Sequence, residues 1–125
     1  KETRAYWVER TMINQKNRKS TVVVGLIYPS EVTEVNTDIP ISFCLLDASD
    51  EKIRERLMGK RFSTPEQIAG LKQGTGKTPE EFIEENKHTM DRLRQEVKNA
   101  DGFVIDTTND TPDQTAVKIT SWIKS

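Results

Sequence analysis

Ile41-Ser-Phe-Cys-Leu-Leu-Asp47 runs directly into Ala48-Ser-Asp-Glu-Lys-Ile-Arg-Glu-Arg-Leu-Met58, and the change of pattern between the two decides how the chain is read. The first run is short and almost continuously apolar up to its aspartate. That suits a strand covered on both faces, as in a parallel sheet. The second is charged, with Ile53 and Leu57 four residues apart on one face, and predicts a helix that Gly59 is placed to end. A buried strand feeding an amphipathic helix is the unit from which wrapped parallel sheets are built.

Working outward, Thr21-Val-Val-Val-Gly-Leu-Ile27 is another continuous, β-branched run and predicts a second buried strand, ended by Pro29. Phe103-Val-Ile-Asp-Thr107 predicts a third. Residues 30–40 are polar without a sustained period and read as a connecting loop. Arg4 to Asn17 carries Ala5, Val8 and Met12 at helical spacing and predicts an amphipathic helix. Three further helices are announced by Thr-Pro with Glu or Gln at the third helical position: Thr64-Pro-Glu-Gln67, Thr78-Pro-Glu-Glu81 and Thr111-Pro-Asp-Gln114. The middle one is the longest, carried by Ile83, Asn86, Met90, Leu93 and Val97 to about Asn99, before Asp101-Gly102 breaks it. Helices alternating with buried strands predict an α/β fold, three layers α/β/α around a parallel sheet, in a single domain over residues 1–125.

Composition narrows the function. Lys plus Arg number 19 against 20 Asp plus Glu, so the surface has no net field for a polyanion and a nucleic-acid partner is not expected. Cys44 and His88 are each the only residue of their kind, which rules out an intrachain disulfide and a cysteine-based zinc site within these residues. The apolar runs are far below the length that crosses a bilayer, and the default expectation is a reducing, cytoplasmic setting without a membrane partner.

The stretch I-S-F-C-L-L-D-A-S-D-E-K-I-R-E-R-L-M-G-K-R, residues 41–61, resembles the fourth strand and lid helix of adenylate kinase-like nucleotide and nucleoside kinases. The tail V-I-D-T-T-N-D-T-P-D-Q-T-A-V-K-I-T-S-W-I resembles their last strand, nucleobase-side loop and final helix. Y-W-V-E-R ahead of V-V-V-G-L is similar to the helix and third strand of bacterial nucleoside-kinase-like proteins. The resemblance implies a P-loop NTPase-like domain, with a lid and lid-associated helices over about residues 48–100. It implies an ATP-dependent phosphotransferase acting on a nucleoside, nucleotide or other small hydroxyl compound, with ATP and Mg2+ as cofactors.

By the same resemblance, the first strand and its phosphate-binding loop belong between the strands at 21–27 and 41–47, and neither is in this sequence. The expectation is that the gene product continues upstream of Lys1 or that another chain supplies the strand. Residues 1–125 alone are then expected to be inactive. A second copy of the chain is one candidate partner beside the nucleotide and the acceptor. The alternative function is a non-catalytic nucleotide-binding or scaffold module of the same fold.

The residues implied to act are cationic, because phosphoryl transfer spreads negative charge over oxygens that the protein must stabilise. Arg56 matches the first lid arginine, and the second falls on Lys60 or Arg61. Arg92 lies where the family often places another arginine facing the phosphates. Thr108, Asn109 and Asp110 follow the last strand, where the nucleobase would lie. Asp47 and Asp106 end strands and are read either as holding a magnesium-bound water or as capping the next helix.

Gln73-Gly-Thr-Gly-Lys-Thr78 invites a phosphate-loop reading, but the motif needs a glycine where Leu71 stands. No strand runs into it either. The preferred reading is a lid connection that ends in an N-cap at Thr78, from which Lys77 reaches phosphate.

Overall fold

A computed structural model describes residues 2–17, 20–34 and 40–125, with side chains from residue 5 onward. Its elements in chain order are α1 (Glu2–Lys16), α2 (Pro29–Thr33), β1 (Cys44–Asp47), α3 (Asp50–Lys60), α4 (Pro65–Thr75), α5 (Pro79–Asn99), β2 (Phe103–Asp106) and α6 (Pro112–Lys124). The two strands pair in parallel with Cys44 opposite Phe103 and Asp47 opposite Asp106. A parallel pair needs a crossover, and α3, α4 and α5 provide it.

The alternation of side chains along the strands builds the layers. On one face Leu45 is buried against Leu93 and Val97 of α5, with Tyr28 and Met90 packed at the margin. On the other, Phe103 stacks on Trp122 of α6 with ring centroids 6.4 Å apart, and Ile105, two residues on and so on the same face, is only 2% exposed. The result is a small α/β/α arrangement on a two-stranded sheet. Leu46 and Val104 stay partly exposed beside buried neighbours.

The helix boundaries follow the caps. Thr64, Thr78 and Thr111 each accept a hydrogen bond from the N–H three residues on, and Gln67, Glu81 and Gln114 each return one, which completes three capping boxes. Ser49 caps α3 by accepting from the Lys52 N–H at 3.1 Å. The glycine expected to end α3 does not do so; the helix passes through Gly59 to Lys60, since one glycine costs a helix only about 1 kcal/mol. Gly76 ends α4 in the left-handed region at φ 75°, where a side chain is disfavoured. Gly74 and Thr75 are thus a helix end, and the reading of Gln73 to Lys77 as an irregular connection gives way to a helix reaching Thr75.

Three expectations about the amino-terminal half change. Thr21 to Ile27 forms no strand: the run bends at Gly25, whose φ of 156° suits glycine, and Val22 and Val24 are 66% and 91% exposed. Apolar, β-branched composition favours a strand only where a neighbour offers hydrogen bonds, and no described strand lies beside it. The strand expected from Ile41 shortens to Cys44–Asp47, the length that β2 can pair. The loop expected from residue 30 begins as α2, where Pro29 at the first helical position starts one turn; residues 35–39 lie outside the described residues.

Gly102 marks the tightest approach in the fold. A Cβ there would stand 2.6 Å from Val97 Cγ1 and 3.1 Å from the carbonyl oxygens of Phe43 and Val97. Gly102→Ala is expected to destabilise the protein by roughly 1–3 kcal/mol through overpacking. Gly70→Ala, which meets only open space in α4, is expected to add roughly 0.5–1 kcal/mol. Urea denaturation of the two variants should move the midpoints in opposite directions; equal midpoints would refute the packing assignment.

Candidate functional site

The parallel register sets two aspartates side by side at the carboxyl ends of the strands. Ligands of open α/β sheets bind beyond such ends, which makes this edge the first place to look. An open cleft of about 470 Å³ lies there, its polar lining drawn from Asp47, Ser49, Asp50, Arg94, Asp106 and Thr108.

Each aspartate is satisfied in its own way. Asp106 Oδ1 accepts from the Thr108 hydroxyl at 2.6 Å and the Thr108 N–H at 3.0 Å, closing a turn after the strand. The Thr108 hydroxyl holds the Asp106 carboxyl below its ordinary value, helped by the Thr108 N–H and by the more distant charges of Lys118 and Arg56. The Thr108 hydroxyl also accepts from the Ser49 N–H at 2.9 Å, which ties the start of α3 to the end of β2. Asp47 accepts from Arg94 of α5 in a two-point grip, Nε to Oδ2 at 2.8 Å and Nη2 to Oδ1 at 3.0 Å.

The same guanidinium reaches Asp50 Oδ1 at 3.1 Å, Asp91 Oδ1 at 2.9 Å and the Ala48 carbonyl at 3.2 Å. Asp47, more than Asp50 or Asp91, raises the pKa of Arg94 and keeps it charged. So many partners leave Arg94 with little charge to offer a further anion.

Arg56 is placed differently. Its guanidinium donates to both oxygens of Thr107, the hydroxyl at 3.0 Å and the carbonyl at 2.5 Å, which pins it to the tip of β2. Lys60 follows one turn later on the same face of α3, and Arg61 at the helix end lies over the Phe82 ring, 5.7 Å from its centre. Among the described residues no carboxylate stands within ion-pair distance of Arg56, Lys60 or Arg61. By contrast Arg54 pairs with Glu80, and Lys118 lies 2.6 Å from Asp110 Oδ2.

Of the other residues singled out from sequence, Arg92 and Lys77 stand apart. Arg92 lies over the Tyr28 ring at 3.6 Å and donates to Glu96 at 2.7 Å, which also accepts from the Ser30 N–H; it clasps α5 to α2, away from the cleft. Lys77 pairs with Glu85 near the start of α5. Thr108 lines the cleft, Asn109 is exposed, and Asp110 donates its N–H to the Thr107 carbonyl at 3.1 Å.

Arg94 is the residue that sequence reading missed, although the helical phase held the signal. At about 100° per residue, Arg94 sits roughly 70° from the middle of the Met90, Leu93 and Val97 stripe and Arg92 roughly 130° from it. The nearer residue meets the sheet.

Toward the ATP and Mg2+ that the resemblance implies, the described residues offer Arg56 and Lys60 as cations one turn apart on α3 and Arg61 at its end. The backbone at Gly74 to Thr78 is a helix end followed by a cap and forms no phosphate cradle. Among the described residues no group of three or more His, Cys, Asp or Glu is arranged to hold a metal ion, and no helix is long and apolar enough to cross a membrane. No protein-family model matches the chain, and comparison with curated proteins and with solved structures gives no significant match.

The Thr108 contacts make a pH test direct. Because the folded Asp106 value lies below the unfolded one, its stabilisation is present above the ordinary Asp range and fades as pH falls through the folded value. Thr108→Val should return the Asp106 carboxyl toward its ordinary value in an NMR titration. The stability gap between the two proteins should then be widest near neutrality and narrow on acidification. An unmoved Asp106 titration would show that Thr108 does not hold it.

Proposed function

We propose that this chain is the carboxyl-terminal portion of a P-loop kinase-like domain, and that α3 supplies cations to the phosphates of a nucleotide in an ATP-dependent phosphotransferase. The observation that carries this reading is Arg56: a guanidinium fixed at a strand tip by Thr107, with no carboxylate partner among the described residues and Lys60 one turn away. Cations elsewhere near the cleft are matched to aspartates, so this flank is where a polyanion gains most. Positioned positive charge is what phosphoryl transfer asks of the protein, because the migrating group spreads its charge over three oxygens.

The parallel strands and the loop from Thr108 to Asp110 fit the nucleobase side of such a site. ATP supplies the transferred phosphoryl group, and the loop that cradles it is not among these residues. The acceptor is a nucleoside, nucleotide or other small hydroxyl compound.

Of the second reading, a non-catalytic nucleotide-binding or scaffold module, one observation favours the scaffold that binds no nucleotide. The cleft is lined by Asp47, Asp50 and Asp106, while its own cation, Arg94, is consumed by carboxylates. A triphosphate placed centrally would meet net negative charge.

Calorimetric titration with MgATP separates the kinase reading from such a scaffold. Phosphate binding at α3 predicts a weak association, with a dissociation constant on the order of 1 mM. Arg56→Ala should weaken it at least about tenfold, since a charge-assisted contact is worth roughly 1.5–3 kcal/mol, while Arg92→Ala should leave it unchanged. Equal affinity of the Arg56 variant and the parent, or no binding at all, would remove the kinase reading.

A further inference from the structure

We propose that Arg94 is a positioning residue for Arg56, acting through the tips of both strands. The functional meaning rests on the phosphate-facing reading of Arg56; the physical content rests on hydrogen bonds alone. Arg94 grips both oxygens of the Asp47 side chain. The Asp47 carbonyl in turn accepts from the Thr107 N–H at 2.7 Å and the Thr107 hydroxyl at 2.9 Å. Thr107 then receives both Arg56 contacts, at its hydroxyl and carbonyl oxygens.

A second arm starts from the same guanidinium. Arg94 Nη2 reaches Asp50, the first residue of the helix that carries Arg56, and the Ala48 carbonyl just before it. Arg94 therefore fixes both the anchor point of Arg56 and the base of the helix that bears it. Lysine offers no planar fork and cannot make the two-point grip on Asp47 while also reaching Asp50. A coupling of this kind is carried by contiguous contacts, and here every link between residues is a named hydrogen bond.

The test reads Arg56 without any ligand, so a failure of MgATP to bind leaves it intact. Guanidinium Nη–H signals of Arg56 are followed by NMR in the full chain, alongside hydrogen exchange of the β1 and β2 amides as a check that the strands stay paired. In the parent protein these signals should be resolved and slow to rotate, and Thr107→Val should collapse them. Arg94→Ala and Arg94→Lys should collapse them too, with strand amides still protected, whereas Asp91→Asn, which touches only the link within α5, should leave them in place. If Arg94→Ala fails to fold, Arg94→Lys and Asp50→Asn carry the test, the latter expected to shift the Arg56 signals. Signals that are unresolved in the parent, or that persist in Arg94→Lys and Asp50→Asn, would overturn the proposal.

Discussion

Two carboxylates at the tips of adjacent parallel strands are the constraint around which the described fold is arranged. Asp47 and Asp106 face each other in register, and each needs its own source of hydrogen-bond donors. The long helix α5 answers the first through Arg94, and the turn after β2 answers the second through Thr108. Both answers recruit α3 as well, since Arg94 reaches Asp50 and Thr108 accepts from Ser49. Polar contacts at one edge of the sheet thereby fix where the crossover helix leaves the strand, and with it where its cations stand.

The apolar side of the structure is lean by comparison. A two-stranded sheet is marginal alone, and here the Leu45, Leu93 and Val97 cluster against α5 and the Phe103–Trp122 stack against α6 hold its two faces. Gly102 lets the end of α5 and the start of β2 approach closely enough for that packing. Val22, Val24, Leu46 and Val104 remain largely exposed. Exposed apolar residues are common on protein surfaces, but Thr21 to Ile27 is a β-branched run beside which no described strand lies.

That contrast explains what the sequence made legible. Local chemistry came through cleanly: three Thr-Pro capping boxes placed three helices, and the period of Met90, Leu93 and Val97 identified the face of α5 that meets β1. Strand character came through at Cys44–Asp47 and Phe103–Asp106 but not at Thr21 to Ile27, where β-branched composition meets no described strand to pair with and Gly25 bends the run. Gly59 misled for a related reason: a helix tolerates one glycine when capping and packing on either side favour it. At the site, Arg56 was legible as a helix cation, but its tether to Thr107, 51 residues away, was not. Arg94 went unremarked in the sequence although its helical phase brings it to the sheet edge, whereas Arg92, singled out by resemblance, lies against Tyr28 and Glu96.

The account as a whole depends on α3 presenting unneutralised cations beside the tip of β2. Titration with inorganic tripolyphosphate, followed through the backbone amide NMR spectrum, tests this most directly. The prediction is a set of shift changes confined to the segment from Arg56 to Arg61 and to Thr107 and Thr108. Changes centred on Lys72 to Lys77, or none anywhere, would contradict it.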